Sequence, residues 1–296
     1  MKISLLICTY KRNCLLEKGL KLLIEESCDL PDEIIIVDGD EGRARDIVIK
    51  WQEKFPHIKL IPTKNINLAA SRNIGLHASA GDIVALTDDD VVVSFDWIRR
   101  IKELHEKHPE AGVIGGRVKS VGNKIIDKVA ELVVFPFSEK AGYVRTVAGA
   151  NASYKKEVIK KIGKYDESLF RGEDVDYNWR ALQAGFKIYY DPNLIVYHFH
   201  RANWRELFYQ IFMYGRAYYL VRKKWKDMYC VYPHEIRRVR DVLKLGYCLI
   251  NILYEPWLMS AKIERPVIRF LAYPILVVNQ FCWKCGMIRQ ALACMP

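Results

Sequence analysis

The sequence predicts an α/β fold, a mostly parallel sheet with helices on both faces, followed by a helical extension from about residue 201. Three observations predict it. Short apolar runs of strand length alternate with amphipathic stretches of helical period through the first two hundred residues, the pattern of strand and helix units stacked into one sheet. Those runs are continuously apolar, as strands buried on both faces require. From Trp204 onward the composition changes: aromatic and basic residues interleave, and apolar stretches follow at 242–259 and 266–288.

The elements follow in order. ISLLIC (3–8), EIIIVDG (33–39), IKLIPT (58–63) and DIVALTD (82–88) are strand candidates. Between the first two, Leu16, Leu20, Leu23 and Ile24 fall on one helical face. LAASRNIGLHASA (68–80) suits a short helix ended by Gly81. A helix from Asp96 to Lys107, a strand from Val113 to Val118, an irregular stretch and a strand near Tyr143 to Val147 come next. A helix over Glu173 to Ala184, closed by Gly185, precedes two short strands, FKIYYD and LIVYHFH. The domains are therefore expected at 1–200 and 201–296.

The 296 residues are enough for one large domain or a domain with an appendage. A hydrophobic share of 51% with 27% charged residues argues against a disordered chain or a polytopic membrane protein. The apolar run Ile3 to Cys8 is too short for a secretion signal and is followed at once by Lys11 and Arg12. Eight irregularly spaced cysteines suit reduced thiols, so a cytoplasmic setting is expected, and the Asn151-Ala152-Ser153 sequon is accidental there. Cys282 and Cys285 form a lone CxxC, weak as a zinc signal without a second pair. The net charge of +11 is concentrated: residues 201–240 hold ten Lys/Arg against Glu206, Asp227 and Glu235.

Chemistry concentrates in three places. Asp88-Asp89-Asp90 ends an apolar strand, and three adjacent carboxylates are best tolerated where a divalent cation or several donors offset their repulsion. Side chains alternate along a strand, so Asp88 and Asp90 face one way and Asp89 the other; a solvated acidic turn is the bland alternative. Glu173-Asp174-Val175-Asp176 opens a helix, where acids also serve simply to complement the dipole. His198 and His200 lie downstream on a strand, where one could complete a metal site with the triplet.

In order and spacing these segments resemble the family 2 glycosyltransferases. ICTYKRN, Val37-Asp38-Gly39-Asp40, Ala70-Ser71-Arg72-Asn73-Ile74-Gly75, Gly81-Asp82, the aspartate triplet, VAGANASYKKEVIKKIGKYDES, RGEDVDYNWRALQAGFKI and VYHFH carry the likeness over residues 1–200. The resemblance implies the Rossmann-like GT-A nucleotide-diphospho-sugar transferase fold and an inverting transfer from a nucleotide-sugar donor, assisted by Mn2+ or Mg2+. It places Thr9, Tyr10 and Arg12 at the base and ribose, Asp38 at the base, and Arg72 at the base or diphosphate. Asp88, Asp89 and Asp90 would take the donor and metal contacts of the DxD, with Asp88, Asp90 and His198 at the metal. Asp174 would be the general base, with Glu173 second choice, and Gly149, Asn151 and Trp179 would face donor sugar and acceptor. The second strand departs from the family pattern, since Asp38 is followed by Gly39 where a second acid is usual.

The expected acceptor is a sugar, a glycan or a lipid-linked molecule. Trp204, Phe208, Phe212, Tyr218 and Tyr219, interleaved with Arg216, Arg222, Lys223 and Lys224, suit an anionic interface. Val242, Leu245, Leu249 and Ile252 share a helical face, and Phe270 to Val278 is a dense apolar run containing Pro274. Lys244, Asn251 and Arg269 interrupt the apolar stretches, so residues 201–296 are expected to lie peripherally on the cytoplasmic face of a membrane rather than cross it. A nucleic-acid-binding protein, suggested by the basic stretch, and an inactive scaffold of the same fold are the alternatives; no nucleic-acid motif accompanies the basic residues.

Overall fold

In the computed structural model the chain is described from residue 1 to residue 294, apart from residues 136, 202, 226, 227 and 229–238, with backbone alone described over 239–249. It divides into two compact units, residues 1–121 with 137–199, and residues 122–136 with 200–296.

The first unit is built on a nine-stranded sheet. Its centre is β1 (Ile3–Thr9), flanked in parallel by β2 (Glu33–Asp38) and β4 (Ile83–Asp88), with β3 (Ile58–Pro62) outside β2. The side chains of β1, β2 and β4 are almost wholly buried, which accounts for their continuous apolar runs, whereas those of the outer β3 are mostly half-buried or exposed. Beyond β4 the sheet turns mixed through β8 (Ala152–Lys155), antiparallel to both β4 and β6 (Ala111–Ser120). A long strand, β9 (Lys187–His198), runs parallel to β6 and antiparallel to β5 (Val91–Val93) and β7 (Gly142–Val144).

The two short strands expected at 186–200 are thus one. Pro192 lies between the two runs, but the β6–β9 register shifts between Gly116 and Arg117, so the proline falls in the irregularity, where the ladder requires no N–H.

Helices α1 (Asn13–Glu26), α2 (Arg45–Gln52), α3 (Leu68–Ala78), α4 (Trp97–Lys107), α6 (Lys156–Ile162) and α7 (Glu173–Gln183) complete this unit. Leu16, Leu20 and Leu23 are the buried face of α1, as their spacing predicts. On α3, Gly75 lets the helix lie directly on β1: a Cβ there would stand 2.1 Å from Leu6 Cδ1. That close approach carries Arg72, one turn earlier, to the end of the strands.

In the second unit, the stretch that looked irregular in sequence supplies α5 (Ile125–Val134). It joins α8 (Trp204–Lys224), α9 (Val239–Ala261) and α10 (Pro266–Ala293). Helices α8 and α10 cross at Gly215 and Gly286, where an added Cβ would meet the Trp283 or Phe212 carbonyl oxygen at 2.0 Å or less. Part of the aromatic and basic set expected at an interface is engaged inside this unit. Tyr218 packs on Trp283 with ring centroids 4.6 Å apart, Arg216 Nε donates to Gln290 Oε1 at 2.9 Å, and Arg222 is buried.

The side chains of Val242, Leu245 and Leu249 lie outside the described residues. Exposed apolar side chains instead gather on α9 and α10, among them Leu253, Trp257, Val267, Phe281 and Phe270, the last 81% exposed. By length and composition alone, α10 is long and apolar enough to cross a membrane, because the helix runs on through Arg269 and Pro274 for 28 residues where a count of uninterrupted apolar residues stops at Arg269.

Candidate active site

Three parallel strands end at one edge of the sheet. Thr9 at the end of β1 is in register with Asp38 at the end of β2, and Cys8 with Asp88 at the end of β4. The carboxyl ends of parallel strands are where such sheets place ligands. Three residues past Asp88 the chain enters β5, whose Val91 pairs with His198, and the Phe199 amide donates to the Asp90 carbonyl at 2.9 Å. This pairing, absent from any local sequence signal, brings His198 beside the aspartate triplet.

The alternation inferred for the triplet is present. Asp90 Oδ1 lies 3.1 Å from His198 Nε2, and its Oδ2 accepts from Arg12 at 2.5 Å. Asp88 Oδ1 accepts from Arg72 at 3.3 Å. Ligand atoms of Asp88, Asp90 and His198 all lie within 4.8 Å of one another. Two hard oxygens and one imidazole nitrogen so grouped fit a divalent cation such as Mn2+ or Mg2+. Asp89 turns the other way, accepting from Thr9 Oγ1 at 2.9 Å, the Tyr10 amide at 3.4 Å and Arg12 at 3.0 Å. Burial lifts its carboxyl to about 6, against the pull of Arg12.

Asp38 is wholly buried, and its carboxylate accepts from the Asp40 amide at 2.8 Å and the Ala44 amide at 2.9 Å. It therefore ties the turn after β2. Tyr10 is exposed at the rim. Burial also pushes the Cys8 thiol up to about 12, which keeps it protonated beside Asp88.

The two acids opening α7 have different surroundings. Glu173 is buried and accepts from Arg72 at 2.8 Å, and burial raises it to about 7 despite that partner. Asp174 is half-buried, its Oδ2 accepting from the Gly149 amide at 3.0 Å and its Oδ1 from the Val175 amide at 2.9 Å. Arg72 links the parts: its guanidinium bonds Asp88 and Glu173 and lies against Gly149, where a Cβ would meet both terminal nitrogens at 2.7 Å. Sequence motifs pointed to Arg72 as a donor contact; its bridging position depends on α3 meeting α7 across 101 residues of chain.

Asn151 is fully buried. Its Oδ1 accepts from Trp97 Nε1 at 2.8 Å, and its Nδ2 donates to the carbonyls of Leu194 and Arg117 at 2.8 and 3.1 Å. The side chain fastens the 149–151 turn to α4, β6 and β9. Trp179 is half-buried on α7. Among the described residues, the metal-capable grouping is Asp88, Asp90 and His198, while Cys282 and Cys285 are free thiols.

The family model for glycosyl transferase family 2 matches residues 4–163. The chain belongs to that family. It is 26% identical over 190 residues to the glucosyl-dolichyl phosphate glucuronosyltransferase of Haloferax volcanii, covering 59% of each chain. It thus spans about three fifths of that relative's length. A Methanococcus voltae relative, a dolichyl N-acetyl-α-D-glucosaminyl phosphate 3-β-D-2,3-diacetamido-2,3-dideoxy-β-D-glucuronosyltransferase, is 21% identical with 95% of this chain and 94% of its own covered. In fold the chain is similar to the mannosyltransferase PcManGT from Pyrobaculum calidifontis in complex with GDP-Man and Mn2+. That likeness has TM-score 0.67 at 17% identity and covers 99% of this chain and 88% of the other. The sheet of this family 2 chain is therefore the GT-A fold expected from its motifs.

Proposed function

We propose that this chain is an inverting, cation-assisted glycosyltransferase moving a sugar from a nucleotide-sugar donor to a hydroxyl or phosphate of a lipid-linked or glycan acceptor. The observation that carries this reading is the meeting of Asp88, Asp90 and His198 at the strand ends, with a separate half-buried carboxylate, Asp174, on α7. Asp88, Asp90 and His198 would hold Mn2+ or Mg2+. When bound, the cation neutralises charge developing on the departing diphosphate, so no protonated leaving group is required.

The chain's own groups divide the remaining work. Asp174 is the general base, taking the acceptor proton as the new bond forms; its partners are two backbone amides, whereas Glu173 is tied to Arg72. A base opposite the departing diphosphate gives in-line displacement and inversion. Thr9, Tyr10 and Arg12 face the nucleotide, on a loop that Asp89 helps to hold. Gly149 and Trp179 border the sugar and acceptor. The dolichyl phosphate compounds named for the Haloferax and Methanococcus relatives, and the GDP-Man and Mn2+ of the Pyrobaculum structure, favour a polyprenyl-linked acceptor and a cation. The exposed apolar side chains of α9 and α10 support peripheral contact with the cytoplasmic face of a membrane.

Nucleotide-sugar turnover with polyprenyl-phosphate sugars, with and without Mn2+ or Mg2+, tests this reading. Asp174→Asn should retain donor binding and lose at least about 100-fold in turnover, the scale of a missing general base. Near wild-type activity in that variant removes Asp174 from the role, and full-rate transfer after chelation removes the cation.

A further inference from the structure

Asn178, in the middle of α7, is fully buried, and its side chain makes three hydrogen bonds. Its Nδ2 donates to the Val147 carbonyl at 2.8 Å and to Thr146 Oγ1 at 2.9 Å, while its Oδ1 accepts from Tyr154 Oη at 2.8 Å. A carbonyl can only accept, so the contact with Val147 fixes which way the amide points. Tyr154 stands on β8 and is itself wholly buried. Asparagine is a mediocre helix former and costly to bury, so packing alone gives no reason for it at this place.

Its position relative to Asp174 supplies one. Asn178 lies four residues after Asp174, on the same face of α7. Gly149, whose amide donates to Asp174 Oδ2 at 3.0 Å, lies two residues after Val147. The two contacts are rungs between the helix and a stretch of chain running the other way, Asn178 to Val147 and Asp174 to Gly149. Four helical residues rise about 6 Å and two extended ones about 6.6 Å, so the rungs match, and Ala148 between them is extended, with φ −70° and ψ 134°. Behind the stretch, β6 passes so close that a Cβ on Gly115 would stand 2.4 Å from Val147 Cβ. The other Asp174 oxygen accepts from the Val175 amide of its own helix, so the Gly149 amide is the contact that ties this carboxylate to the chain outside α7. With a single residue between the rungs, a shift of Val147 carries the Gly149 amide with it. We propose that Asn178 is a positioning residue for sugar transfer that acts through Asp174: it fixes the 147–149 stretch along α7, and the Gly149 amide then holds the carboxylate in place. This rests on the reading of Asp174 as base and deepens it with a buried residue that no motif named.

A double-mutant cycle on the full chain tests the proposal, with kcat and donor KM measured at a temperature where urea unfolding shows each variant to be folded. Asn178→Ala should lower kcat at least about tenfold, toward the ~100-fold that a reacting group displaced by ~1 Å can lose. Donor KM should stay within about twofold, since the donor's contacts are not disturbed. In the Asp174→Asn chain the same substitution should cost no more than about twofold further, because a residue that acts through Asp174 then has nothing left to place. Asn178→Ser, which keeps a hydroxyl for Tyr154 but is too short to reach Val147, should behave in the same way and serves if the alanine variant fails to fold. A smaller loss of kcat, or a loss confined to KM, overturns the proposal. So does an equal loss with and without Asp174, which is what a merely structural role predicts, and so does failure of both variants to fold, which assigns Asn178 to stability. Near wild-type turnover by Asp174→Asn overturns the base reading and the proposal with it, whereas a slow Asp174→Asn chain with additive Asn178 losses overturns the proposal alone.

Discussion

Gly149→Ala tests how Asp174, the proposed base, is held. Gly149 has no positive φ, so its backbone accepts alanine and the new methyl alone decides the outcome. That methyl would lie 2.7 Å from both terminal nitrogens of Arg72 and 3.0 Å from Cζ, where ordinary contact begins at 3.4 Å. The guanidinium would have to retreat by about 0.7 Å, yet it is buried and fixed by Glu173 at 2.8 Å and Asp88 at 3.3 Å. The Asp88 bond, already long, gives way first. Losing one buried charged hydrogen bond costs about 1.5–3 kcal/mol, and overpacking a filled site a further 1–3 kcal/mol. The expected loss is about 3 kcal/mol, a large share of the 5–15 kcal/mol that holds most domains together. Urea unfolding should give a lower midpoint at unchanged slope. Turnover should fall as well, because the Gly149 amide is the donor that holds Asp174. A variant within about 0.5 kcal/mol of wild type, turning over normally, would refute the Arg72 bridge, since such small changes are typical of uncoupled surface positions.

Two further expectations concern other parts of the molecule. His105 is buried with Nε2 2.9 Å from Ser153 Oγ, and burial, helped by nearby Lys155, depresses its pKa from 6.5 to about 3. Because the folded pKa lies below the unfolded one, its contribution to stability is complete above pH 6.5 and lost as pH falls toward 3. Between pH 7 and 5 wild type should lose about 2 kcal/mol that His105→Gln does not; parallel stability profiles would disprove it. For the C-terminal helices, full-length protein should float with anionic liposomes at low salt, less so at high salt, and Trp257→Glu with Phe270→Glu should abolish flotation. Protein that stays in the soluble fraction at low salt argues instead for an interface between protein chains.

Much of the first unit is legible because its strands and helices announce themselves locally. Strands β1, β2 and β4 are dominated by continuous apolar runs, and α1, α4 and α7 carry periodic apolar faces. The elements that escape are short or depend on distant partners. β5 is three valines after an acidic turn, and β8 is four residues whose place is set by antiparallel pairing with β4 and β6. Helix α5, by contrast, does carry an apolar face at helical spacing, with Ile126, Val129 and Ala130 buried, so reading an irregular stretch there overlooks a local signal; it packs within the second unit.

The site divides in the same way. Alternation alone placed Asp88 and Asp90 together and Asp89 apart, and motif order brought in Asp174 and His198. Motif order also named Asp38 and Asn151 as ligand contacts, but a motif cannot reveal that a side chain is already occupied. Asp38 ties two amides of its own turn, and Asn151 bonds groups of residues 97, 117 and 194. The Arg72 bridge joins residues from three segments that nothing in the local sequence links.

The triplet also governs how mutational data on this enzyme class should be interpreted. Its three carboxylates are consecutive and chemically identical, yet Asp88 meets Arg72, Asp89 anchors Thr9, Tyr10 and Arg12, and Asp90 meets His198 and Arg12. An alanine scan would inactivate all three and invite one common explanation. Removing Asp89 would slacken the loop after β1 while sparing Asp88, Asp90 and His198, the proposed cation ligands, so its defect should surface in donor affinity with cation affinity intact. A loss-of-function score cannot separate a ligand from the strut behind it; an affinity measured for each bound species can.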